Sequence, residues 1–134
     1  MTQTSTQELQ ALASTPGSQP APAAPPARPA HIIGSEAEAL EAARSFAALI
    51  APGALARDRD RLLPWQEVEQ FSQSGLWGIT IPREYGGSGV STATLTRAIA
   101  LIAAADGNFG HIPQNHYYSL EVLRVGGSPS QKAF

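Results

Sequence analysis

The sequence predicts an all-α fold, a small set of packed helices behind an unstructured N-terminal tail. Three observations carry this. Apolar residues recur at three- and four-residue spacing in four separate stretches of the 134-residue chain. Residues that start and stop helices stand at the ends of those stretches. Alternation of apolar and polar positions, the mark of a half-buried strand, occurs nowhere at useful length.

The tail comes first. Six of the chain's eleven prolines fall in residues 1–31, within a segment reading STPGSQPAPAAPPARPA. It is nearly uncharged and poor in bulky apolar side chains, so burial cannot offset the entropy of ordering it. Residues 1–31 are therefore expected to be a disordered tail and residues 32–134 one domain. The start of the chain has neither the basic segment nor the apolar run of a signal peptide, and no apolar run reaches the length of a membrane span. A net charge of −2 argues against nucleic acid as a partner. The chain has no cysteine, which excludes disulfides and thiolate chemistry and fits a cytoplasmic protein.

Ser35 followed by Glu38 forms a capping box, so the first helix is expected over 36–50, with Leu40, Ala43, Phe46, Ala47 and Ile50 inward. The Ala-Pro-Gly at 51–53 should interrupt it, and the alternating charges of RDRDR at 57–61 read as a solvated helical surface. Pro64 suits a first helical position and Gly75 a left-handed stop, giving a second helix over 64–74 with Trp65, Val68 and Phe71 buried. Leu76 should pack back on Phe71. A connector and a turn-rich loop over 83–90 follow. Ser91 caps a third helix over 91–105, Val90 can staple to Leu95, and Leu95, Ile99 and Ile102 face inward. A fourth helix spans 108–125, and Ser128, Pro129 and Gln131 start another.

The fourth helix is the odd one. Its first half, DGNFGHIPQNHYY, holds two histidines, two asparagines and a glutamine. At about 100° per residue, Phe109, Ile112, His116, Leu120 and Leu123 fall on one stripe. Asn108, His111, Asn115, Tyr118, Ser119 and Val122 lie beside it, and Gln114, Tyr117, Glu121 and Arg124 face the far side. Pro113 should kink the helix unless it lies in the first turn. Two readings of His116 stand: a core histidine satisfied by a backbone carbonyl, or a pocket residue flanked by His111 and Asn115. A metal site lacks a ligand set, because the two histidines are five residues apart on different sides with no carboxylate to join them. No Ser-His-acid constellation is present, and Asp106 reads as a cap or turn residue. YGGSG at 85–89 lacks the Lys-Ser/Thr ending of a phosphate loop and reads as a tight turn.

The stretches GLWGITIPREYGGSGVS and IALIAAADGNFGHIPQNHYYSLEVLRVGGSPSQKAF together resemble the N-terminal helical domain of the acyl-CoA dehydrogenase superfamily. The signature is an IP-x-x-YGG-x-G connector, a helix, an Ala-Asp step, a longer helix, and GS-x-x-Q-K, covering about residues 31–134. Within it, the aromatic- and histidine-bearing helix after AADG looks most like the reduced-flavin monooxygenase branch, which includes dibenzothiophene monooxygenases and sulfur-acquisition oxidoreductases. The resemblance implies a flavoenzyme whose middle β-domain and C-terminal bundle carry the flavin, FMN or FAD, and the catalytic groups. It implies no catalytic residue, and no flavin binding, for this chain alone. It places His116, Asn115 and His111 in the wall of the substrate cavity. It further implies a small organosulfur or acyl-thioester substrate, a separate flavin reductase and a homo-oligomeric full-length enzyme. An acyl-CoA dehydrogenase with FAD, or a stand-alone helical interaction module without activity, are the competing expectations.

Overall fold

The computed structural model describes residues 28–132. Most of the expected disordered tail, residues 1–27, lies outside the described residues. All regular structure is helical among those described. In chain order it comprises α1 (Glu36–Ile50), α2 (Ala54–Asp60), α3 (Trp65–Gln73), α4 (Thr92–Ala105), α5 (Gly107–His111), α6 (Gln114–Gly126) and α7 (Pro129–Lys132), with 3-10 turns at Ala51–Gly53, Leu76–Gly78 and Arg83–Tyr85.

The caps form much as the sequence implies. The Ser35 hydroxyl accepts the Glu38 N–H at 3.2 Å. The Glu38 carboxylate reaches back one residue further than a capping box requires, to the Gly34 N–H at 2.7 Å, and also meets His31 at 2.6 Å. These bonds hold its carboxyl below the usual range, the Gly34 N–H foremost. Gly75 takes the left-handed conformation after α3, with φ 82°. A Cβ there would lie 2.3 Å from the His31 carbonyl, so the position demands glycine twice over. Ser91 caps α4, and Ser128 and Gln131 cap each other's N–H groups at the start of α7.

The core is built around three phenylalanines, one each from α1, α3 and α5. The Phe46 ring centroid lies 5.1 Å from that of Phe71 and 4.9 Å from that of Phe109, both edge-on. Ile33, Ala39, Ala43, Ile50, Leu76, Ile79, Val90, Ala98 and Ile102 complete it. α1 lies along α4, and α4 along α5. Gly110 permits the second contact, since a Cβ there would sit 2.5 Å from the Ala103 Cβ.

Several inward faces differ from those expected. Ala-Pro-Gly does not end the first helix but tightens it, and helical conformation runs almost unbroken from Glu36 to Asp60. That run is long and apolar enough, with mean hydropathy 1.2, to pass for a membrane span by length and composition, against the expectation that no apolar run reaches that length. Core packing accounts for part of that composition, through the stripe of Ala39, Ala43, Phe46 and Ile50, while only 22% of the apolar window is buried. The solvated reading of 57–61 holds for Asp58, Arg59, Asp60 and Arg61, which are exposed, and fails at Arg57. Arg57 follows Ile50 by two turns, shares its face, and is only 11% exposed, whereas Arg59 and Asp60 do pair at the surface. Trp65 is 40% exposed, because it opens a short helix beyond the edge of the core. Trp77 packs edge-on against Phe71 instead, at 4.6 Å. In α4 the buried line is Thr94, Ala98 and Ile102, with Leu95 and Ile99 at its margin.

Candidate cavity-wall helix

Asp106 sets the corner from which the polar stretch departs. It ends α4 and begins α5, its Oδ1 accepting the N–H groups of Asn108 at 3.0 Å and Phe109 at 3.2 Å. Its Oδ2 accepts from Arg57 Nε at 3.1 Å and Nη2 at 2.8 Å. Arg57 also donates to Glu67 at 2.7 Å and to the Ile50 carbonyl. One guanidinium thus ties α1, α2 and α3 to the α4–α5 corner, with Asp106 only 3% exposed in its side chain. The cap reading of Asp106 holds, and its carboxylate is wholly engaged in structure.

Pro113 breaks the expected single helix. It is fully buried, lacks an N–H, and stands between α5 and α6. The break and the reach of the aromatic side chains recast the faces. Phe109, Pro113 and Tyr117, four residues apart, point inward, while Ile112 and Leu123 are each 40% exposed. Tyr117, expected toward water, is the one buried side chain of α6. Its hydroxyl donates to the Leu76 carbonyl at 2.8 Å, and burial pushes that hydroxyl's pKa well above its ordinary value.

The three candidate residues do not converge. His116 is half-buried and turned toward the body, its Nε2 2.9 Å from the Trp77 carbonyl oxygen. Because a carbonyl only accepts, Nε2 carries the proton and donates. The backbone carbonyl required by the core-histidine reading is therefore that of Trp77. Its ring meets Trp77 edge-on at 4.7 Å and Tyr117 at 5.5 Å. His111 and Asn115 are exposed on the outside of α5 and α6. With Asn115 begins an outward line of Tyr118, Val122 and Val125, which are 69%, 50% and 71% exposed. This face offers hydrogen-bonding groups at one end and apolar surface along its length.

Two clefts flank the helix, and none of the three candidates lines either. One of about 370 Å³ lies between residues 80–85 and α6–α7, walled by Ile81, Tyr85, Leu120, Leu123 and Arg124. The other, about 340 Å³, lies beside Asn108 and Ile112, closed by Leu62, Leu63 and Arg61. No group of three histidine or acidic side chains suited to a metal occurs among the described residues. The glycine-rich turn is self-satisfied. The N–H groups of Gly87, Ser88, Gly89 and Val90 donate to the carbonyls of Pro82, Gly78, Ile81 and Ile79, leaving none for a phosphate.

Sequence reasoning missed Tyr117, Trp77 and the Arg57–Asp106–Glu67 cluster. Two signals were available: an aromatic eight residues after Phe109, and the phase of Arg57 relative to Ile50.

Residues 35–134 match the family described as acyl-CoA dehydrogenase, N-terminal domain. A dibenzothiophene monooxygenase of Rhodococcus erythropolis is 37% identical over 79 residues, 59% of this chain and 19% of that protein. A (2S)-methylsuccinyl-CoA dehydrogenase of Cereibacter sphaeroides is 32% identical over 75 residues, 56% of this chain and 14% of its own length. A probable FMNH2-dependent monooxygenase of Pseudomonas putida is 30% identical over 93 residues, 69% of this chain and 24% of that enzyme. The chain thus spans less than a quarter of the length of each of these relatives. No solved structure matches.

Proposed function

Because the chain belongs to the acyl-CoA dehydrogenase family, matching its N-terminal domain over residues 35–134, we propose that it forms the N-terminal part of a reduced-flavin monooxygenase acting on a small organosulfur compound. Its contribution is one wall of the substrate cavity. The observation that carries this is the outward face of α6, where exposed Asn115 heads the apolar line of Tyr118, Val122 and Val125, with His111 exposed on the preceding α5. Such a face suits a cavity that must exclude water yet orient a polar group. Relatives named as monooxygenases favour oxygen as co-substrate. Reduced flavin, when bound, supplies the electrons for oxygen activation; in this reading a separate reductase provides it, and the enzyme is a cytoplasmic homo-oligomer. Within the chain, Asn115 and His111 hydrogen-bond the substrate's polar end, and Tyr118 and Val122 cover its apolar part.

A second reading, an FAD-dependent acyl-CoA dehydrogenase, is favoured by the likeness to the methylsuccinyl-CoA enzyme. The enzyme containing this domain is assayed with dibenzothiophene, oxygen and reductase-supplied reduced flavin, and in parallel with an acyl-CoA and an electron-accepting dye. Sulfur oxygenation that raises KM several-fold in Asn115→Ala supports the first reading. Dye reduction without oxygenation supports the second, and neither activity refutes both.

A further inference from the structure

We propose that His116 is a positioning residue, which with Tyr117 locks the rotation of α6 about its own axis and so fixes where Asn115 and Tyr118 point. The assignment of those two to a ligand rests on the cavity-wall reading; the lock itself does not.

The geometry is a double grip. Two adjacent side chains of α6, His116 and Tyr117, donate to two adjacent carbonyls, those of Trp77 at 2.9 Å and Leu76 at 2.8 Å. Neighbouring positions on a helix project about 100° apart. One bond would leave the helix free to pivot about it; two at different angles define its phase. The receiving turn is itself held. Leu76 is fully buried, and the Trp77 indole N–H donates to the Ser72 hydroxyl on α3 at 3.1 Å. That hydroxyl in turn donates to the Val68 carbonyl at 2.9 Å. A continuous path of hydrogen bonds and edge-on ring contacts therefore runs from α3 through Trp77 to His116.

α6 needs such a device. Of its side chains only Tyr117 is buried, and only His116 and Leu120 are half-buried. Pro113 separates it from α5, so α5 does not pass on its own phase through an unbroken hydrogen-bond ladder. A rotation of α6 by a few tens of degrees would carry Asn115 and Tyr118 with it.

Because the chain has no cysteine, a pair of nitroxide labels introduced through Val122→Cys on α6 and Arg44→Cys on α1 is unambiguous. Both positions are exposed. Electron–electron distance measurement, with the labelled chain diluted in excess unlabelled chain to remove distances between copies, should give one narrow distribution. His116→Leu, which keeps bulk but loses the donor, should broaden or shift it while the cooperative melt is retained. His116→Gln, whose amide can donate to the Trp77 carbonyl, should restore the narrow distance. Tyr117→Phe, which keeps the ring and removes the second grip, should broaden it independently. An unchanged distance in His116→Leu, or no rescue by His116→Gln, overturns the proposal. If His116→Leu does not fold, an unchanged distance in Tyr117→Phe does so. No substrate or flavin enters the measurement, so failure of the monooxygenase reading leaves its outcome intact.

Discussion

At the scale of single residues, two buried polar side chains set quantitative expectations. Asp106 is the shared acceptor of Arg57 and of two N–H groups at the start of α5. Asp106→Ala should cost about 3–5 kcal/mol, because it leaves the Arg57 charge partly unpaired in a nearly buried setting. Thermal or urea melts check this, and a loss below about 1 kcal/mol, the level of an exposed pair, would contradict it. Tyr117 gives a pH expectation with a definite sign. Its ordinary value is 10.0, and burial raises it in the folded chain. The neutral form is thus favoured by folding, so its contribution is complete below that ordinary value. It is lost as pH climbs from there toward the folded value. Stability should fall above pH 10.0 in the wild type and fall less steeply in Tyr117→Phe. Parallel alkaline curves for the two would count against it. The candidate site was half legible at this scale. Polar residues in an otherwise apolar helix marked the right segment. That His116 rather than His111 turns inward was readable from its place on the apolar stripe; its partner was not, being a carbonyl 39 positions earlier in the chain.

At the scale of elements, punctuation was the most legible part. Ser35, Ser91 and Ser128 act through bonds to residues within a few positions, and Gly75 through its own left-handed backbone, so their roles could be read from spacing alone. Faces were less legible where two helices share one phase or one helix has two. Ala-Pro-Gly carried the phase of α1 into α2 and turned Arg57 inward, while Pro113 split what periodicity joined. Close approach between elements was not written in any pattern. Nothing in the spacing marks Gly110, yet α5 lies against Ala103 of α4 at that point. Gly110→Ala should therefore destabilise by about 1–3 kcal/mol, despite the better helix propensity of alanine. A stabilised Gly110→Ala variant in chemical denaturation would show that α4 and α5 can part without cost.

At the scale of the whole molecule, the described residues leave Ile32, Leu49, Leu55, Leu62, Leu63, Trp65, Tyr118, Val122 and Val125 substantially exposed. Of these, Tyr118, Val122 and Val125 run along one face of α6, and an apolar face left open in this way favours association. The isolated 134-residue chain should self-associate and bind no flavin. Sizing chromatography with flavin titration checks both, and a monodisperse monomer with micromolar flavin affinity would reverse them. The Asp106 junction has a consequence in time as well as in space. Its bond to Arg57 spans 49 positions, so it closes only after α1 and α4 have come together. A contact closed after the folding barrier is one whose loss speeds escape more than it slows arrival, and the expectation for Asp106 is that case. Asp106→Asn should therefore raise the unfolding rate several-fold and leave the refolding arm of a chevron almost where it was. The corner from which the polar stretch departs would then also set how long the domain lasts before it opens.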